Sequence, residues 1–474
     1  MTDAHAASSS AAEVIMMTPE EKAGTTKGSD DSDATANGNP RKNFKVRLDE
    51  VAKVFDLPAL DLGKTTTLPS YDDWNYRVFS SSASSSFVVK CMHAEHVSRD
   101  HVMLQVEAMR ELKRNGVAVP VPVRKRPNTD ESQRKPSGAD DNDVENFVHC
   151  NEEDRALYHV ITFIDDSDLY PERARKSAKF LECLGGVVGD IHCATRNFVE
   201  GDVAVSSDKR AWRKKVSTFT WQWSTSTIPV EVQKLYKFVA DNSERLSELQ
   251  QLCARVADVL PVTEEKVEKW VAEEEKLHDE TSPGTAAQLA RFLFRRQWTH
   301  TDVNDTNLLF KKLDFEKDEW ECSAVLDFGD SCWDYALYDV GICAGYACMH
   351  NEDQLADVIA GVCRGYRKAL LAKKLNVETS STINENLTST NTNMLMSLDE
   401  TVFKRWPRSC VRVVYIAALA RKLLSYACAL EQIALQPGNE YVAHTAEPTR
   451  RAALGHLDIW KTVDEAVDAI MSKI

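Results

Sequence analysis

Apolar residues along this chain recur at spacings of both two and three to four in its first part and mainly at three to four beyond about Tyr170, and the change divides it in two. In "FKVRLDEVAKVFDL", Val46, Val51, Val54 and Phe55 fall at roughly helical spacing, where ordered structure is expected to begin. "YDDWNYRVFS" and "SSFVVKCMH" are strand-like runs joined by serines, which predicts a hairpin. "SRDHVMLQVEAMRELKRNG" puts Val102, Val106, Met109 and Leu112 on one helical face, with Ser98 placed to cap its start and Gly116 to end it. "VAVPVPVRK" is extended and limited by proline, and "LYHVITFID" returns to strand. From about Tyr170 the period turns helical in "SAKFLECLGGVVGDIHCATRNF", "EVQKLYKFVADNSERLSELQQLCARVADVL" and "TAAQLARFLFRRQ". Only 298–328 interrupts it, with the short apolar runs "TNLLF" and "CSAVLDF", before helices resume at "LYDVGICAGYACM". The pattern predicts an α+β protein with a small N-terminal sheet-plus-helix lobe over 46–165 and a larger, mainly helical C-terminal lobe over 166–474.

Composition trims this picture at the edges. Residues 1–45, rich in Ala, Ser, Thr, Gly and Asp without an apolar period, are expected to be a disordered tail. Residues 128–155 hold nine acidic and three basic side chains and read as a surface insertion, and 376–397 as a low-complexity one. A length of 474 residues exceeds one core and leaves room for a cleft between lobes. The net charge of -15 argues against a nucleic-acid partner. Twelve cysteines without a CxxC pair read as reduced thiols, and the N-terminus lacks the features of a targeting segment. The longest apolar run, from Val413, is interrupted by Arg421 and Lys422, so no membrane span is expected. Together these point to a soluble, cytoplasmic protein.

The interruption at 298–328 is where the chemistry gathers. "WTHTDVNDTNLLF" crowds His300, Asp302 and Asn307 between apolar neighbours, and "SAVLDFGDSCWD" ends a short strand on Asp327. A carboxylate at a strand end and an amide oxygen are hard ligands for Mg²⁺ on a nucleotide phosphate, and a second carboxylate can serve a hydroxyl beside it. In this reading Asp302 accepts or orients the proton of the acceptor hydroxyl, Asn307 and Asp327 hold the metal, and His300 braces the loop. Each motif alone could be a solvated turn. The joint order H-x-D-x-x-x-x-N, strand, strand, D-F-G-D is far more specific.

These motifs resemble those of the aminoglycoside phosphotransferase and choline kinase superfamily, relatives of the protein kinases. "LPSYDDWNYRV", "LQVEAMRELKRNG", "NDTNLLF" and "VLDFGDS" together are most similar to hydroxylysine kinases, over roughly residues 47–470. The resemblance implies a two-lobed protein-kinase-like fold and phosphorylation of the side-chain hydroxyl of 5-hydroxylysine, with GTP or ATP as donor and Mg²⁺. It places the phosphate-binding lysine on Lys90 and the purine-binding hinge near Thr162 and Phe163. No GxGxxG occurs, so phosphate cover falls to the hairpin, either Ser70 and Tyr71 or the turn "SSSASSS". Two departures stand out. Thr301 occupies a position that is usually glycine, and its β-branch resists a positive φ. Gln105 stands where a glutamate commonly pairs with the strand lysine, able to hydrogen-bond Lys90 without neutralising it, while Glu107 falls on another face of the helix.

Around this set, Asp330 is placed either to meet a substrate ammonium or to cap its loop, and Asp339 to hold the loop. His192 reads as a helix histidine packed beneath it. The expected partners are a nucleoside triphosphate and a small molecule bearing a hydroxyl and an amine. Competing readings are a choline or ethanolamine kinase, an antibiotic-type phosphotransferase, and a non-catalytic nucleotide-binding module.

Overall fold

The computed structural model describes residues 47–474 apart from 56, 69–72, 83, 96, 127–143, 154, 166–167, 170–175, 200–205, 218–223, 225–226, 229, 231–244, 278–284, 315, 318, 350, 381–405 and 436–439. The expected tail 1–45, Ser70 and Tyr71, and most of 376–397 therefore lie outside the described residues.

After a short helix α1 (Leu48–Val54) come β1 (Leu60–Leu68), β2 (Trp74–Ser80) and β3 (Ser85–His93). Helix α2 (Arg99–Arg114) begins at Ser98, whose hydroxyl accepts from the His101 N–H, and Gly116 follows it in the left-handed region at φ +81°. Strands β4 (His149–Asn151) and β5 (Ala156–Thr162) complete an antiparallel sheet ordered β1-β2-β3-β5-β4. The last part of the acidic stretch thus belongs to the lobe. Val144, Phe147 and Val148 are buried and β4 pairs with β5, a correction to the surface insertion read at 128–155. Its few apolar residues were diluted by charged neighbours in the sequence.

The second lobe holds α3 (Ala178–Ala194), α4 (Ser207–Ser217), α5 (Leu246–Val259), α6 (Glu264–Leu277), α7 (Thr285–Leu293), α8 (Ala336–Met349), α9 (Leu355–Ser380), α10 (Arg408–Leu435), α11 (Glu440–Ile459) and α12 (Val463–Met471). Two small antiparallel sheets sit among them. One pairs β7 (Arg296–Thr299) with β10 (Cys332–Tyr335); the other is ordered β6-β8-β9, from Asp168–Leu169, Leu308–Asp314 and Glu319–Val325. Helix α10 is long and apolar enough to cross a membrane, but most of it is buried inside the fold.

Helices α8 and α10 approach closely because glycine faces alanine. A Cβ on Gly341 would lie 2.4 Å from Ala417 Cβ, and one on Gly345 would lie 2.9 Å from the Ala418 carbonyl oxygen. That approach sets Tyr346, next to Gly345, and Arg421, one turn beyond Ala417, against each other. The lobes are stitched by Val325 N–H donating to the Ala118 carbonyl (2.9 Å) and His101 Nε2 donating to the Gly329 carbonyl (2.7 Å).

Candidate active site

Strand β7 delivers the chain into the loop 300–307, and Asp339, in the first turn of α8 and fully buried, receives it. Its Oδ2 accepts from the His300 N–H (2.8 Å) and its Oδ1 from the Thr301 N–H (2.7 Å). His192 Nε2 donates to the same carboxylate at 3.0 Å while its Nδ1 meets the Tyr366 hydroxyl at 3.0 Å. Burial alone lifts the Asp339 carboxyl, but the hydrogen bonds from His192 and His300 outweigh it and leave the group below its ordinary value.

Thr301 adopts φ +61°, in the region its β-branch disfavours. The surroundings enforce it: its N–H is bound by Asp339 and its Oγ1 donates to the Asp330 carbonyl. His300 then bridges two loops. Its Nδ1 accepts from the Asp302 N–H (3.3 Å) and its Nε2 donates to the Leu326 carbonyl (2.8 Å), an assignment that requires the neutral Nε2–H tautomer. Asn304 Oδ1 gathers the N–H groups of Thr306 (2.8 Å) and Asn307 (2.9 Å), so the loop turns back toward Asp302.

Both oxygens of Asp302 are engaged. Asn307 Nδ2 donates to its Oδ2 at 2.7 Å and to its carbonyl at 3.0 Å, and its Oδ1 is paired with Arg421 Nη2. Arg421 Nε also donates to the Tyr346 hydroxyl at 3.1 Å. Burial by itself pulls the Arg421 guanidinium down, yet Tyr346, Asp302 and Asp330 around it hold it above its ordinary value. Across the cleft, Lys90 on β3 donates to Asp327 Oδ1 at 2.7 Å and lies 3.5 Å from Asp73 Oδ2. Desolvation draws the Lys90 ammonium down, and the two carboxylates more than restore it. Desolvation likewise lifts the Asp327 carboxyl, and Lys90 pulls it below its usual range.

The expected residues fare differently. Lys90, His300, Asp302, Asn307, Asp327 and Asp339 come together through these hydrogen bonds and ion pairs. Gln105 does not join Lys90: it is buried on α2, and the carboxylates of Asp73 and Asp327 stand by the ammonium instead. Glu107, one of the acids nearby, is occupied by Arg213 and Lys209. Thr162 and Phe163 spend their N–H groups inside the lobe, on the Val121 carbonyl (3.0 Å) and the Ser86 carbonyl (3.0 Å), so neither N–H is offered to a base. Asp330 borders Arg421 and Thr301 through its charge and its carbonyl. Sequence reading missed Asp73, Tyr346 and Arg421. A charged pair in the middle of the 28-residue apolar helix α10 was the available signal for the last.

Two hard oxygens carry no protein hydrogen bond among the described residues. Asn307 commits its nitrogen to Asp302, which leaves its carboxamide oxygen, and Asp327 commits Oδ1 to Lys90 and the Gly329 N–H, which leaves Oδ2. No group of three or more His, Cys, Asp or Glu placed to hold a metal ion occurs among the described residues. Two oxygens suit Mg²⁺, which keeps several waters and takes further ligands from phosphates.

A family model described as a phosphotransferase enzyme family matches residues 66–372. No curated protein matches the chain. Among solved structures it is similar to an amicoumacin kinase in complex with AMP-PNP, Ca²⁺ and Ami (13% identity, 86% of this chain and 92% of that one, TM-score 0.49). It is also similar to a Plasmodium vivax ethanolamine kinase (10% identity, 82% of each chain, TM-score 0.41). A third is a microcompartment-associated aminopropanol kinase (13% identity, 90% of this chain and 98% of that one, TM-score 0.41). None of these likenesses bears on the choice of substrate.

Proposed function

We propose, for a chain that belongs to the phosphotransferase enzyme family, that it transfers the γ-phosphoryl group of GTP or ATP to the hydroxyl of a small amine-bearing metabolite, 5-hydroxy-L-lysine foremost. The coarser statement, a small-molecule phosphotransferase of the aminoglycoside phosphotransferase and choline kinase type, follows from the family itself. The finer one leans on the motifs of the sequence and on one observation. The Asp327 end of the Lys90–Asp327 pair and the Asn307–Asp302 pair sit on loops that are tied together by the Leu326 N–H on the Asn307 carbonyl (2.8 Å) and by His300 on the Leu326 carbonyl.

In this reading the acceptor oxygen bonds to the γ-phosphorus as the bond from that phosphorus to the bridging oxygen breaks and the nucleoside diphosphate leaves. Asp302 orients the hydroxyl and takes its proton, with Asn307 fixing one of its oxygens. Lys90 neutralises phosphate charge from the floor of the sheet. Mg²⁺, held by Asn307 and Asp327, would offset the charge of the phosphates when bound. His300 and Asp339 keep the loops carrying Asp302 and Asp327 in register. Positioning and charge carry most of the acceleration in such a transfer, which is what this arrangement supplies.

The test is phosphorus NMR of the purified protein with Mg²⁺, GTP or ATP, and hydroxylysine, choline, ethanolamine or an aminoglycoside in parallel, with Asp302→Asn as the blank. A phosphomonoester signal with hydroxylysine that the variant fails to produce supports the proposal. Product from another acceptor alone replaces the substrate, and nucleotide binding without any product favours a binding module.

A further inference from the structure

Alternation along β2, β3 and β5 decides which side chains share the face of the sheet that carries Lys90. Asn75 pairs with Lys90 and Lys90 with His159; two positions along, Arg77 pairs with Val88 and Val88 with Ile161. Lys90 reaches Asp327 in the second lobe, so this face looks into the cleft. Arg77 starts about 8 Å from Lys90, two residues along and one strand across, which suits the span from a base to the phosphates of one nucleotide.

Its guanidinium is tied along that face. Nε and Nη2 each donate to the Ser86 hydroxyl at 3.2 Å, Nη2 donates to Asp165 Oδ1 at 2.9 Å, and Cζ stands 3.8 Å from the centroid of the Phe163 ring. The side chain therefore crosses from β2 over β3 to the segment that follows β5. Stability does not account for such restraint: with the side chains of Arg77 38% and Asp165 55% exposed, their ion pair is worth little. What the contacts supply is a flat cation held still and open to solvent. One of its faces lies against Phe163, and the other carries no ring among the described residues.

We infer that Arg77 is the platform on which the base of the nucleotide stacks, with Phe163, Ser86 and Asp165 fixing its plane. The inference rests on the phosphotransferase reading of the site and adds a residue for the base to those already named for the phosphates. Thr162 and Phe163 spend their N–H groups within the lobe, so at these two positions the backbone gives the edge of a base no donor. Contact through the face needs none. Every base has a π-face, and a guanidinium stacks on it without reading the edge.

The experiment measures calorimetric binding of ATP, GTP and inorganic tripolyphosphate, each with Mg²⁺, to the full-length protein and to Arg77→Met and Arg77→Lys. Arg77→Met should weaken each nucleotide that wild type binds by about tenfold, the size of one base stacked on a side chain. Tripolyphosphate has no base and should bind the variant as tightly as wild type. Arg77→Lys should match Arg77→Met, because it keeps the charge and loses the plane. Unchanged nucleotide affinity in Arg77→Met, an equal loss for tripolyphosphate, or full rescue by lysine overturns the platform. If wild type binds neither nucleotide nor tripolyphosphate, the phosphotransferase reading beneath it falls instead.

Discussion

Arg421 and Lys422 are consecutive on α10 and both almost fully buried, yet they meet opposite surroundings. Arg421 turns toward Asp302, Tyr346 and Asp330 and holds its charge firmly. Lys422 turns toward His456, donating to its Nε2, and burial pushes the lysine amine below the ordinary value. His456 lies well below its own, first through burial and then through the charge of Lys422. Burial sets the cost in both cases, and the partner decides whether a charge survives it. One face of the helix keeps a cation against a carboxylate; the other packs an amine against an imidazole.

The sharpest test of this contrast is Asp302→Asn, expected to lower kcat by about 10³-fold, the range for a lost positioned base. Removing that counter-charge should also cost about 2 kcal/mol of stability, because Arg421 stays buried. Chemical denaturation beside kinetics reads both, and an active variant would break the comparison at its functional end. Acid comes next. His101, His159, His192 and His456 all sit below the ordinary 6.5, each chiefly through burial, and His159 falls to about 3. The unfolded chain takes up protons at these sites before the folded one does. Stability should therefore be full above about pH 6.5 and fall as pH drops toward 3, by about 1.4 kcal/mol per pH step for each strongly depressed histidine. Melting at pH 7.5 and 5.5 measures it.

Replacing both members of the other pair, Lys422→Met with His456→Phe, should leave kcat/KM unchanged and stability equal or higher, since apolar groups of similar shape substitute well for a buried polar pair. The variant should also lose less stability between pH 7.5 and 5.5 than wild type. A drop in activity would place Lys422 in the machinery after all. The smallest effect expected is for Thr301→Gly. Relief of the positive φ and loss of the hydroxyl bond to the Asp330 carbonyl oppose each other, for a net change within about 1 kcal/mol. Thr301→Ala keeps the strain and loses the bond, so it should melt lower than the glycine variant.

The two-lobed α+β architecture was legible because hydrophobic period is a local property; Asp302, Asn307 and Asp327 stood out as candidates because they are crowded into short motifs with apolar flanks. Lys90 was legible as a strand lysine, but its partners were not. Gln105 was assigned by analogy, whereas Asp73, just before the strand's partner in the hairpin, supplies the second carboxylate. The acidic stretch hid β4, since a three-residue strand carries no detectable period. Arg421 was visible as a charge in an apolar run, and so was Lys422. Nothing in the order of residues says which of two adjacent positions, about 100° apart on a helix, faces a carboxylate.

The ion pair between Lys90 and Asp327 joins positions 237 residues apart, and that between Asp302 and Arg421 joins positions 119 apart. On a ribosome adding roughly 5 to 20 residues per second, Lys90 waits roughly 10 to 50 s for its partner to be made. Through that interval the first lobe presents a lysine without Asp327. Enzymatic competence is accordingly a late event in the life of each molecule.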